Sequence, residues 1–313
     1  MTDKTYQGRP LHRPDEPVVD QGAAFDLQTL STRRKVLAFI GAGGAAALLA
    51  ACSSGSSDTG ASTSSSATTI GEIPDETAGP YPGDGSNGPD VLNRTGIVRS
   101  DIRSSLGGGT KVDGVPLRVT LDVTDIAGGD KPFTGAAVYA WHCTAQGEYS
   151  MYGEGIEDET FLRGVQVVDD SGSVTFTTIF PGCYSGRWPH IHFEVYPDVT
   201  SITDHTKAIA TSQLALPQQA CDAAYSRSTY SGSAENLSQI TLASDNVFGD
   251  DGGKSQLASL TGNAVSGYTA TLPVGVDTGT EPKADAAPGG ADGPGGPPPN
   301  GSGKPGGAPP SRP

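Results

Sequence analysis

The sequence predicts an all-β fold, an antiparallel β-sandwich. Three observations carry that expectation. Apolar residues recur at every second position in several short runs, Gly- and Pro-containing turns separate the runs, and no long helical pattern intervenes. In chain order, Leu117-Arg-Val-Thr-Leu-Asp-Val alternates apolar and polar residues, as a strand with one buried face must. A turn at Gly128-Gly129-Asp130 leads to Ala137-Val-Tyr-Ala-Trp-His-Cys. Gly164-Val-Gln-Val-Val follows, then Asp170-Ser-Gly as a turn and Val174-Thr-Phe-Thr-Thr-Ile as the next strand. After Pro181-Gly182 come Ile191-His-Phe-Glu-Val-Tyr and, much later, Tyr268-Thr-Ala-Thr-Leu. One helix is expected, over Gln218–Tyr225.

The ends read differently. Arg33-Arg34 precede an uncharged apolar stretch at 36–51 that closes with Leu49-Ala50-Ala51-Cys52. A basic pair, an apolar segment too short for a normal span of about 20 residues, and small residues before a cysteine make an export signal. The paired arginines look like a twin-arginine signal, and Leu-Ala-Ala-Cys resembles a lipobox. Residues 1–51 are thus expected to be removed, leaving Cys52 lipidated on the outer face of a bacterial cell membrane or the protein secreted. Residues 52–69 read as a Ser/Thr/Gly linker. Residues 70–275 form the expected single β-sandwich domain, and 276–313 a disordered tail. Residues 288–313 hold nine Pro and nine Gly, a composition that cannot build a core.

The chain of 313 residues carries a net charge of −15, and loss of residues 1–51, with six basic and five acidic side chains, takes this to −16. Such a surface argues against a nucleic-acid partner. Three cysteines remain after Cys52: Cys143, Cys183 and Cys221. In an oxidising compartment a Cys183–Cys221 disulfide is expected, with Cys143 left free in a core strand.

The chemistry-bearing residues cluster in sequence. His190-Ile-His192 lies on a strand, so both imidazoles point to one face and offer two metal ligands. Upstream stand Phe180-Pro-Gly-Cys-Tyr184-Ser-Gly-Arg187-Trp-Pro-His190 and Trp141-His-Cys-Thr-Ala-Gln-Gly-Glu-Tyr149-Ser. Together with Glu76-Thr-Ala-Gly-Pro-Tyr81, Arg99-Ser-Asp-Ile102, Phe161-Leu-Arg-Gly-Val-Gln166, Thr211-Ser-Gln213 and Leu242-Ala-Ser-Asp-Asn-Val-Phe248, these motifs resemble the intradiol ring-cleavage dioxygenases. The resemblance to this catechol and protocatechuate 3,4-dioxygenase superfamily spans about residues 73–275.

That resemblance implies one Fe(III) held by Tyr149, Tyr184, His190 and His192. The chemistry is coherent, because phenolate is a hard, anionic donor suited to a ferric ion, and a trivalent ion supplies the drive to deprotonate a tyrosine. It further implies that Arg187 faces the substrate and stabilises negative charge on the ring, that Tyr184 is released on substrate binding and takes up a proton, and that Gln213 lines the pocket. Trp141 is expected in the core, and His142, on the opposite strand face, is expected not to be a ligand. The implied reaction is cleavage of a small aromatic diol by O₂ to a cis,cis-muconate-type diacid, without flavin or nicotinamide. The chain leaves little room for the N-terminal helical dimerisation segment of soluble members, so it is similar to a secreted single-domain branch of undefined oligomeric state. A surface carrier or binding module on the same sandwich is the alternative, and the full ligand set with Arg187 discriminates against it. A zinc hydrolase would want a third His or a carboxylate instead of tyrosines.

Overall fold

Alternation of side chains across the sheet plane dictates what each strand can cover. The computed structural model describes residues 70–280 and 282, with the backbone of residues 5–6 and 9–10. Strands β1 (Thr5–Tyr6) and β2 (Arg9–Pro10) pair antiparallel in the first of two units, residues 1–65. The remaining elements lie in the second unit, 66–313. The expected export signal, the lipidated Cys52 and the linker at 52–69 fall outside the described residues, apart from that backbone. So does the tail, apart from 276–280 and 282.

The first sheet is built on β3 (Pro116–Asp125), in which Leu117, Val119, Leu121 and Val123 are buried while the residues between them are not. On one side β3 pairs antiparallel with β7 (Ser173–Ile179) and with the short β4 (Lys131–Pro132). On the other it pairs with β11 (Gly267–Val276), which in turn pairs with β10 (Ser259–Asn263). The β3–β11 contact is parallel, because β11 arrives after a long connection rather than a hairpin. The second sheet runs β6 (Arg163–Val167), β5 (Ala137–Trp141), β8 (His190–Tyr196) and β9 (Ala210–Ala215), all antiparallel. Val138, Ala140, Ile191, Phe193, Val195 and Leu214 from this sheet pack with the inward residues of the first, which makes the sandwich core.

Every residue of β8 is buried, so its outer face is covered too. A second apolar cluster lies there: Val91, Leu92 and Ile97 from the N-terminal segment, with Tyr139, Trp141, Tyr149, Met151 and Tyr196. The second sheet is therefore sandwiched between the first sheet and a layer of loops. The expected helix is present as α1 (Gln218–Tyr225), followed by a short α2 (Ser233–Leu237).

The expected Cys183–Cys221 disulfide is not formed: Cys143, Cys183 and Cys221 are all free and buried. Each thiol instead faces a backbone carbonyl. Cys143 Sγ lies 3.5 Å from the Gly182 oxygen, Cys183 Sγ 3.5 Å from that of Arg187, and Cys221 Sγ 3.8 Å from that of Leu216. All three behave as small buried apolar groups, and burial pushes the Cys143 and Cys183 thiols up to about 12.

Candidate metal centre

The loop-covered face of the second sheet carries the site. His190 and His192, two apart on β8, both project into it. Strand register places Gln213 of β9 and Trp141 of β5 on either side of His192, and Arg163 of β6 beyond Trp141. Tyr149 comes from the loop after β5 and Tyr184 from the connection before β8. Gly182 makes that second approach possible, since a Cβ there would stand 2.6 Å from the Ala145 carbonyl oxygen.

The four side chains converge. Tyr149 Oη lies 3.5 Å from Tyr184 Oη and 3.5 Å from His190 Nε2. Tyr184 Oη is 3.2 Å from His190 Nε2, and the two imidazole Nε2 atoms are 3.1 Å apart. Donors held about 2 Å from one ion stand about 3 to 3.5 Å from each other, so this spacing fits a shared metal. The protonation pattern agrees. His190 Nδ1 sits 2.5 Å from the Trp188 carbonyl oxygen, which can only accept; Nδ1 therefore carries the proton and Nε2 presents a bare lone pair. Burial holds both histidines well below the usual imidazole range, and Arg187 adds to it, so they stay neutral. Burial pushes Tyr184 up to about 12 and Tyr149 well above the ordinary phenol value. These phenols ionise only if a cation replaces their protons. Among the described residues no group of three or more His, Cys, Asp or Glu is placed to hold a metal, so the tyrosines are what complete this donor set.

Arg187 stands beside the cluster. Its Nε donates to Asp245 Oδ2 at 3.0 Å and its Nη2 to Gln213 Oε1 at 2.7 Å. Gln213 Nε2 passes the chain on to the Thr77 carbonyl at 2.9 Å. Although burial opposes its charge, the ion pair with Asp245 holds the guanidinium protonated. Beyond Thr77 the chain passes over the site: Gly79, at φ +72°, comes so close that a Cβ would meet His192 Cε1 at 3.3 Å. Tyr81 packs on Tyr149 with ring centroids 5.0 Å apart. Nearby, Glu76 is raised to about 8 by partial burial and by Asp250.

The structure thus brings together all six expected site residues: Tyr149, Tyr184, Arg187, His190, His192 and Gln213. His142 points away, with Nε2 2.6 Å from Thr178 Oγ1 on the other sheet. Three contributors carried no expected role. Asp245 anchors Arg187, Trp141 stacks on His192 at 4.8 Å and 6°, and Arg163 ties the covering loops down. The buried Arg163 donates to Ser150 Oγ and to the carbonyls of Ser150, Tyr81 and Pro82. All three lie within motifs that carry the resemblance, Trp141-His-Cys, Phe161-Leu-Arg163 and Leu242-Ala-Ser-Asp245, so the sequence marked their positions but not their contacts. The Asp245 carboxylate also accepts from the amides of Val247 and Phe248.

Comparison with known proteins adds to this geometry. A family model described as Dioxygenase matches residues 86–191, which include Tyr149, Tyr184 and His190. A chlorocatechol 1,2-dioxygenase of Rhodococcus opacus is 32% identical over 101 residues, covering 26% of this chain and 38% of the relative. The match thus spans well under half the length of that curated relative. An intradiol ring-cleavage dioxygenase from Tetranychus urticae superposes at a TM-score of 0.52 with 25% identity, over 68% of this chain and 98% of the other. A further dioxygenase crystal structure superposes at 0.54 with 24% identity and the same coverage, a likeness of fold.

Proposed function

We propose that this chain, which the Dioxygenase match and the likeness to the Tetranychus urticae enzyme ally with the intradiol ring-cleavage dioxygenases, binds one ferric ion and cleaves a catechol-type diol with O₂. The product is a cis,cis-muconate-type diacid. The reading includes export by the twin-arginine route and anchoring through a lipidated Cys52, which the motif at 33–52 supports.

The observation that carries it is the convergence of Tyr149 Oη, Tyr184 Oη and the two Nε2 atoms of His190 and His192 at spacings of 3.1 to 3.5 Å. When bound, ferric iron supplies a Lewis acid that draws a catechol on as its anion and readies the ring for O₂. The residues provide the rest. His190 and His192 are neutral donors, so the two tyrosines are the anionic members of the set. Tyr184 is half-buried where Tyr149 is 1% exposed, which makes Tyr184 the more displaceable and the nearer acceptor for a substrate hydroxyl proton. Arg187 stays charged and fixed between Asp245 and Gln213, a preorganised cation for negative charge gathering on the ring. Tyr81 and Gly79 lie over Tyr149 and His192 on the ligand face.

The test is spectroscopic and chemical. Purified protein loaded with ferric iron should show a visible tyrosinate-to-iron band that shifts on adding catechol. Oxygen uptake should match catechol consumed, with both oxygen atoms in the diacid. Protein that stays colourless after ferric loading would refute the proposal. Tyr149→Phe should remove most of the band and the activity.

A further inference from the structure

The two histidines are held in different ways. His190 has a hydrogen bond from Nδ1 to the Trp188 carbonyl, which fixes both its tautomer and its ring plane. His192 has none: its Nδ1 is buried without a hydrogen-bond partner. Its ring is instead constrained by packing. The Trp141 indole lies parallel to it, centroids 4.8 Å apart and planes 6° apart, and the Gly79 backbone closes on its Cε1 edge. Trp141 is in turn stacked on Tyr139 at 4.8 Å and 19°. Its own Nε1 is buried without a partner, so stacking and not hydrogen bonding sets the indole plane. Tyr139 is the fixed end of the column. Its hydroxyl donates to the Pro82 carbonyl at 2.7 Å and accepts from Arg163 Nη1 at 3.1 Å.

We propose that Trp141 is a positioning residue for the metal ligand His192, its stacked indole doing for that ring what the Trp188 carbonyl does for His190. The sheet makes this possible. Trp141 and His192 are direct neighbours across the β5–β8 ladder, and Tyr139 lies two residues before Trp141 on the same face of β5. A flat aromatic beside His192 blocks rotation about its χ2 in either sense, while leaving Nε2 aimed at His190 Nε2, 3.1 Å away in the cluster. Without it, Gly79 offers contact at one edge only, and the ring is free to turn its lone pair off the common point. The inference rests on the four donors being metal ligands.

The test uses full-length ferric-loaded protein and compares Trp141→Leu and Trp141→Phe with wild type. The readouts are the rate of iron loss to an excess of chelator and the position of the visible band. Trp141→Leu should lose iron about tenfold faster or more, the range typical of removing a group that orients a metal ligand. Trp141→Phe, which keeps a smaller ring, should fall between. Leu121→Ala, a cavity in the sandwich core away from the site, controls for general destabilisation and should leave iron loss unchanged. The proposal is overturned if Trp141→Leu retains iron within twofold of wild type, or if Leu121→Ala loses it equally fast. If Trp141→Leu does not fold, Trp141→Phe decides: loss at least threefold faster with a shifted band supports the proposal, and wild-type behaviour ends it. Failure of the wild type itself to take up iron would instead refute the ligand assignment.

Discussion

Replacing Asp245 by Asn should be the most costly isosteric change near the site. The carboxylate is fully buried, and its ion-pair partner Arg187 has only 14% of its side chain exposed. Oδ2 accepts from Arg187 Nε at 3.0 Å and from the Trp188 amide at 2.7 Å. Oδ1 accepts from the amides of Val247 and Phe248 at 2.8 and 3.1 Å. An Asn can keep its oxygen toward Val247 and Phe248, but its amino group then faces two donors, Arg187 Nε and the Trp188 N–H. Two charge-assisted hydrogen bonds at about 1.5–3 kcal/mol each are lost, and a buried guanidinium is left without its counter-charge. We expect a loss of about 3–5 kcal/mol, a large part of the 5–15 kcal/mol typical of a whole domain. Urea denaturation of the metal-free protein measures it, through a lowered midpoint at unchanged slope. Arg187→Met combined with Asp245→Asn should cost less than the sum of the two by about 2 kcal/mol, since the double variant strands no charge. An Asp245→Asn variant within about 1 kcal/mol of wild type, or strict additivity in the cycle, would refute the reasoning.

Gly79→Ala places a Cβ 3.3 Å from His192 Cε1 at φ +72°. Stability should fall by about 1–2 kcal/mol in chemical denaturation, and ferric loading should weaken in a titration. His142, fully buried and brought down to about 4 from 6.5 by desolvation, binds its proton less readily folded than unfolded. Stability from this group is therefore complete above pH 6.5 and lost as pH falls toward 4, by about 3 kcal/mol at most. Denaturation midpoints between pH 4 and 6.5 should slope less in His142→Asn than in wild type; an equal slope would show that His142 does not contribute.

The sandwich was legible wherever one strand face meets the core and the other meets solvent. β3 shows this best, its buried residues alternating from Leu117 to Val123. β9 escaped because Ala-Thr-Ser-Gln-Leu-Ala has little β-branched or aromatic character and no solvent-exposed face to set an alternation; what makes it a strand is the β8 ladder. β10 is an exposed edge, and β4 is two residues long, so neither leaves a pattern. In the site, His190 and His192 were legible from spacing and the tyrosines from their motifs. Trp141 looked like core because it is core, and its contact with His192 depends on which strands neighbour each other. The Asp245–Arg187 pair spans 58 residues, a distance at which local sequence is silent. The Cys183–Cys221 expectation failed for the same reason: redox compartment says that a bridge is permitted, and only tertiary direction says where each sulfur points.

Strand β8 gives its apolar side to one layer and its polar side to another. Under the proposed function, substrate preference and structural integrity are thereby written into largely separate stretches of chain. The loops at 78–90 and 146–159 can accumulate changes with Ile156 kept, while His142 and Ala145, which reach the other sheet or the sandwich core, remain untouched. Under the proposed function, a library confined to those loops and sparing Gly79, Tyr81, Tyr149, Ser150 and Ile156 is the starting point for testing bulkier aromatic diols.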